Sequence, residues 1–209
     1  MASLVLAEHD GQALDEATAK TVAAAAQISQ PIHVLVAGQA CRAAAEQAAK
    51  LSGVEKVLLA DDPRYAHFLA EAVSELVLSL SGAYDAILAP ATANGKNVSP
   101  RVAAKLDVPQ ISEILSVESP DVFRRPIYAG NAVQTVEAKG FKKIITVRVA
   151  AFSAVSRDGN AAIEPVTAAS DPGLSQFVSE NLSRSERPEL TAARLPTWMV
   201  QAARRHLLR

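Results

Sequence analysis

The chain has 209 residues, a formal net charge of −1, 49% hydrophobic side chains and only 4% aromatic ones. That length holds one large domain, or a domain with an appendage, and either buries a substantial core. The near-zero charge excludes the basic field that nucleic-acid binding requires, and no apolar run approaches the ~20 residues that cross a bilayer. Alanine supplies much of the apolar share, which favours helices packed closely on a sheet over an aromatic-lined ligand cage. A single Cys41 rules out an internal disulfide and any cysteine metal cluster, and reads as a small core-facing residue in an Ala-rich helical segment. The N-terminus passes directly into Leu4-Val5-Leu6 with no signal or transit pattern, so a cytoplasmic location is expected.

Residues 3 to 7 form an apolar run, the first expected strand, with Glu8-His9-Asp10-Gly11 as its exit loop. Asp15 is placed to cap an amphipathic helix that runs to Ile28 and stops before Pro31. Ile32 to Ala37 is a β-branched second strand; Gly38 opens a helical segment from Ala40 to Leu51, with Gly53 in the left-handed position after it. Val54 to Ala60 is the third strand, and Asp61-Asp62-Pro63 starts a helix expected to continue to Leu80. Ala86 to Ala89 is the fourth strand; the residues from Thr92 to Pro100 then read as a polar loop, with a helix following on Val102, Ala103 and Leu106.

Four strand–helix units with short connections predict an α/β, doubly wound, mostly parallel sheet with helices on both faces. After Pro109 helical periodicity vanishes. The β-rich runs Ile111 to Val117, Val122 to Tyr128, Ala132 to Ala138 and Lys143 to Phe152 are expected to complete that sheet with an antiparallel edge. Ser153 to Pro172 reads as an exposed loop, and Leu174 to Leu182 as an edge strand or an extended piece. The expected organisation is a domain over 1–182, a Pro-terminated linker over 183–194 and an atypical tail over 195–209, containing Trp198, Arg204, Arg205, His206 and Arg209.

Motif spacing excludes several chemistries. There is no Gly-x-Gly-x-x-Gly after the first strand, no Walker-type Gly-Lys-Ser/Thr, no Gly-x-Ser-x-Gly and no His-x-x-x-His. His9, His33, His67 and His206 fall on unrelated elements without ligand spacing. His9, beyond the first strand, is either a proton donor or partner contact at the sheet's carboxyl edge, or a surface loop histidine. Adjacent Asp61 and Asp62 read as helix capping rather than as a catalytic pair. Asn94, Gly95, Lys96 and Asn97 offer a bend, a cation and amides before a helix start at Ser99-Pro100; they are the candidate anion site, or they only cap a helix. On this basis the Asn94 to Pro100 loop gives one functional reading, a small adenine-nucleotide-binding module holding AMP or ATP.

Five segments carry a resemblance: Glu8-His9; Pro90-Ala91-Thr92-Ala93-Asn94-Gly95-Lys96-Asn97; Pro100-Arg101-Val102-Ala103-Ala104-Lys105-Leu106; Arg125-Pro126-Ile127-Tyr128-Ala129-Gly130-Asn131-Ala132; and Arg187-Pro188-Glu189-Leu190-Thr191. In this order they resemble the alpha subunit of the electron transfer flavoprotein, FixB-type relatives included, from Ser3 to about Arg194. The resemblance implies an N-terminal domain of the adenine-nucleotide alpha-hydrolase-like fold that pairs with a beta subunit. It also implies an electron carrier without catalytic residues of its own. The heterodimer of that family takes electrons from dehydrogenases such as acyl-CoA dehydrogenases and passes them to a membrane flavoprotein-quinone oxidoreductase. In that family AMP belongs to the beta subunit. Beyond Arg194 the resemblance stops: the chain reads Leu195-Pro196-Thr197-Trp198-Met199-Val200-Gln201 instead of the strand and Gly-Gly-Arg-Gly turn that open the family's FAD domain. No flavin-binding residue carries over, so the expectation is a truncated or frame-shifted chain that does not hold FAD tightly by itself.

Overall fold

The computed structural model describes residues 2–180; the expected linker over 183–194 and the tail with Trp198 and His206 lie outside the described residues. The chain divides into two units, Met1–Phe177 and Val178–Arg209. The main sheet of the first unit has seven strands: β1 (Ser3–Leu6), β2 (Ile32–Gly38), β3 (Val54–Asp61), β4 (Ala86–Pro90), β5 (Gln110–Ile114), β9 (Lys143–Val147) and β10 (Ala162–Pro165). Their order is β10-β3-β2-β1-β4-β9-β5 and every pairing is parallel. Helices α1 (Glu16–Ala25), α2 (Arg42–Ala48), α3 (Ala70–Leu80) and α4 (Ala93–Lys105) fill the connections. The doubly wound α/β architecture expected from the strand–helix alternation is therefore present.

Side-chain alternation along the central strands builds two cores, one per face. Val5, Val34, Val36, Val57, Leu88, Ile145 and Val147 meet Ala19, Val22 and Ala25 of α1 and Ala44, Ala45 and Ala48 of α2. Leu4, Leu6, Leu35, Leu58, Ile87 and Ile144 meet Val73, Leu76 and Val77 of α3 and Val98, Val102 and Ala103 of α4. Strands apolar on both faces are what a sheet covered on both sides requires. Alanine-rich α1 and α2 let helix backbones approach the sheet, which explains the composition.

Local signals fix most boundaries. Asp15 caps α1, its Oδ1 accepting from the Ala17 amide at 2.7 Å, and Gly53 takes the expected left-handed φ of 81°. At the end of α4 the amides of Asp107 and Val108 donate to the carbonyls of Ala104 and Ala103 at 3.2 and 3.0 Å. Asp107 is left-handed, φ 54°, in the place glycine usually takes in this closure.

Four expectations change. The helix from Pro63 to Leu80 is broken: a 3-10 turn, Pro63–Tyr65, is separated from α3 by Phe68 at φ 51°. Of the runs after Pro109, only β5 and β9 enter the main sheet. β6 (Ser116–Ser119), β7 (Val122–Ile127) and β8 (Ala132–Glu137) form a separate antiparallel sheet in the order β6-β7-β8. Its anchor is Phe123, fully buried against the α1/α2 face of the main sheet, with Val136 opposite it on β8. Within the expected loop from Ser153 to Pro172, Ala162–Pro165 is β10, paired with β3 at the sheet edge. Only Ile163 in β10 packs inward, so no apolar alternation announces it; a Lys56–Glu164 pair at 2.9 Å and the Ala161 amide on the Ala49 carbonyl at 2.9 Å hold it. Leu174 to Glu180 contain no strand.

Candidate functional site

The sheet reverses its winding between β1 and β4, because β1 leads to β2 and β3 on one side and β4 leads through α4 to β5 on the other, with β9 inserted between them. In open α/β sheets the crevice beyond the carboxyl ends of such a strand pair is where ligands bind. Here it is bounded by Glu8 and His9, after β1, and by Thr92 with the first turn of α4, after β4.

The Asn94 to Pro100 stretch is not a loop, which corrects the sequence reading. Two residues, Ala91 and Thr92, join β4 to α4; Asn94, Gly95, Lys96 and Asn97 form the helix's first turns, and Pro100 lies inside it. Thr92, not Ser99, is the N-cap: its Oγ accepts from the Gly95 amide at 3.3 Å. The sequence held that signal, a threonine separated by one residue from the end of a strand, but Pro100 draws the expected helix start too far along. Pro100 is solvent-exposed, and lacks an N–H for the Lys96 carbonyl one turn earlier.

Glycine at 95 is obligatory for packing. A Cβ there would lie 1.9 Å from the Pro90 carbonyl oxygen, so the helix start is seated directly on the end of β4. The anion position at that start is filled from within the chain. Thr92 Oγ donates to Glu8 Oε1, and the Gly95 amide also supports the Glu8 carboxylate. Burial pushes the Glu8 carboxyl above its usual range; the Thr92 bond pulls it down, and the nearby Asp15 charge adds to the rise. The backbone of Glu8 is fixed too, its amide donating to Thr18 Oγ1 at 3.0 Å and its carbonyl accepting from the Asp15 amide at 2.9 Å.

The other candidates are committed elsewhere. Lys96 pairs with Glu113 at the end of β5, Nζ to Oε1 2.5 Å, and Asn97 Oδ1 accepts from Arg101 Nε at 3.3 Å. Asn94 is exposed. The four residues thus share a helix turn but converge on no common point. His9 Nδ1 accepts from the Gly11 amide at 3.0 Å, which places the proton on Nε2, donated to the Ala37 carbonyl at 3.1 Å. Burial lowers its pKa, so a neutral imidazole ties the loop to β2. Asp61 accepts from the Ala40 amide at 2.7 Å. Asp62 caps the 3-10 turn and pairs with Arg64, whose hydrogen bonds hold its carboxyl down to about 2. Cys41, buried at the start of α2, has its thiol pushed up to about 11 by burial and is unreactive. The residues sequence reasoning missed are Glu8 as the partner of α4 and Glu113 as the partner of Lys96; both contacts join distant strands, and no local pattern marks them.

A doubly wound sheet with this connection, and a match to the electron transfer flavoprotein domain across residues 3–171, decide the family. The chain belongs to the electron transfer flavoprotein family. It is 57% identical over 196 residues to the electron transfer flavoprotein subunit alpha of Pseudomonas aeruginosa, covering 93% of this chain and 63% of that one. The subunit alpha of Bradyrhizobium diazoefficiens is 56% identical, covering 93% of this chain and 62% of that one. A probable mitochondrial subunit alpha of Caenorhabditis elegans is 39% identical over 92% of this chain and 59% of its own length. The electron transfer flavoprotein relatives are therefore longer, and this chain spans less than two thirds of each. Among the described residues no helix is long and apolar enough to cross a membrane.

Proposed function

We propose that this chain serves as the N-terminal α/β domain of an electron transfer flavoprotein alpha subunit, an electron-carrier subunit without catalytic residues of its own. It pairs with a beta subunit; the heterodimer takes electrons from dehydrogenases such as acyl-CoA dehydrogenases and delivers them to a flavoprotein-quinone oxidoreductase, without inserting in the membrane. The observation that carries this reading is the 57% identity to a subunit alpha across 93% of the chain. In the same reading residues 1–182 are the domain and 183–194 lead toward the FAD-binding part of the family.

FAD supplies the redox chemistry of such a complex, and a dinucleotide's pyrophosphate would need the amides at a helix start beside the switch point. At α4 the Gly95 amide already serves Thr92 Oγ and the Glu8 carboxylate, and that carboxylate, held by the Thr92 hydroxyl, sits where the pyrophosphate would have to go. The crevice therefore does not fit FAD, and no electron-transfer step is assigned to these residues. For the same reason an adenine nucleotide's phosphate would meet a carboxylate, so the nucleotide-module reading gains no support. What the domain contributes is a rigid body that presents surface to partners. The test is the visible spectrum of the purified chain: no flavin band is expected, and FAD retained one-to-one through gel filtration would overturn the reading.

A further inference from the structure

The second opening at the carboxyl edge of the sheet differs from the first. A cavity of about 500 Å³ lies beyond β5 and β9, bounded by Ser112, Glu113, Arg125, Tyr128, Gly130 and Arg148. We propose that this cavity is the docking pocket for an acidic side chain of a protein partner, with Arg148 as the charged anchor and Tyr128 as the aromatic rim.

Charge is the first support. Arg125 is fixed on Ser112, its Nε donating to the carbonyl at 3.0 Å and its Nη2 to Oγ at 2.5 Å, so its charge faces no carboxylate there. Glu113 is neutralised by Lys96 at 2.5 Å. Arg148 leaves the end of β9 with its amide bonded to the Ile114 carbonyl at 3.1 Å. Its side chain is exposed, and among the described residues no hydrogen bond or ion pair engages its guanidinium. Two guanidinium charges thus border the cavity, and one planar fork is free, the geometry that takes a carboxylate bidentately.

Backbone conformation is the second support. Among the described residues six non-glycine residues have positive φ, and three of them, Glu113 at 56°, Tyr128 at 50° and Ala129 at 55°, line this one cavity. Such strain persists only where surroundings over-determine it, and it gathers at binding surfaces. One result is that Tyr128 stands 79% exposed beside the free arginine, and tyrosine and arginine are the residues that dominate protein interfaces. A free phosphate is less well matched, because phosphate sites converge several donors or an unused helix start on the anion, and α4 is already capped by Thr92 beside Glu8.

The inference rests on the heterodimer reading, and the experiment separates the two. Binding of the chain to the beta subunit is measured by calorimetry at low and high salt, for wild type, Arg148→Glu, Arg148→Lys and, as a distant control on an exposed loop, Arg157→Glu. Arg148→Glu is expected to weaken binding about tenfold or more and to flatten its salt dependence, with Arg148→Lys between it and wild type. Arg157→Glu is expected to bind as wild type does, and equal thermal midpoints show that every variant folds. Wild-type affinity and salt slope in Arg148→Glu would overturn the pocket while leaving the heterodimer standing. No binding by wild type would remove both. Binding of inorganic phosphate or AMP to the chain alone, abolished by Arg148→Glu, would replace the acidic partner with a small anion and overturn the assignment.

Discussion

Replacing Gly95 by alanine sets two effects of opposite sign against each other. On helix propensity alone the change should stabilise, since alanine is better than glycine inside a helix by about 1 kcal/mol. The new Cβ, however, would sit 1.9 Å from the Pro90 carbonyl oxygen, where real Cβ atoms essentially never come within 3.0 Å. The neighbour is backbone of a core strand and cannot rotate away, so the start of α4 must retreat by about 1 Å to restore that limit. Overpacking of this kind costs about 1–3 kcal/mol. Retreat also pulls Thr92 from the Gly95 amide, already 3.3 Å away, and loss of an N-cap costs about 1 kcal/mol more. The net expectation is a destabilisation of about 1–3 kcal/mol, read by urea unfolding, with a fall of roughly 2–4 °C in Tm per kcal/mol at this size. Gly82→Ala is the control, because nothing lies within 4 Å of its Cβ position; it should be neutral or stabilising by up to about 1 kcal/mol. A Gly95→Ala protein as stable as wild type would refute the seating of α4 on β4.

Three further variants test the same structure. Glu8 has its pKa raised mainly by burial, so its stabilising contribution is complete below the unfolded value near 4.5 and is lost as pH rises through the higher folded value. Glu8→Gln removes that loss: its stability relative to wild type should increase between about pH 4 and pH 7, and a pH-independent difference in denaturant midpoints would show that the carboxylate is not desolvated. Phe123→Ala should cost about 3–5 kcal/mol in chemical unfolding, because this fully buried ring joins the small sheet to the main core; a cost below about 1 kcal/mol would mean the two sheets fold apart. Lys143 is 5% exposed and pairs with Asp121 at 2.6 Å. Asp121→Asn should therefore destabilise more than Lys143→Met, since the first strands a buried ammonium and the second removes it; the reverse order in thermal scans would count against the pair.

The existence and order of the strands and helices up to Lys105 were legible, the break at Phe68 and the start of α4 aside, because most carry a strong local signal: β-branched runs bounded by proline or glycine, alanine at helical spacing, and Asp15 in a capping position. Illegible features were those whose cause is remote. Phe68 in a left-handed conformation breaks a helix whose periodicity continues across it. β10 is four residues with one inward side chain, and only its pairing with β3 makes it a strand. The split of the later β runs between two sheets depends on Phe123 choosing the α1/α2 face of the main sheet, and every β run contains comparable apolar residues. At the candidate site Gly95 stood out, yet for the wrong role: a bend was read where the structure needs an absent Cβ.

The two openings at the carboxyl edge of the sheet then divide the work this fold usually concentrates in one place. Between β1 and β4 the helix start, the glycine and the threonine cap are all present, and an internal carboxylate uses them. Such a contact converts a potential anion site into an element of stability, at the expense of burying Glu8. At β5 and β9 the reverse holds: charge, strain and an exposed aromatic ring remain without a partner inside the described chain. Under the proposed reading the crevice between β1 and β4 serves stability and the cavity beyond β5 and β9 serves association, and Glu8→Gln and Arg148→Glu separate those roles. The first should alter stability and leave association intact, and the second should alter association and leave stability intact.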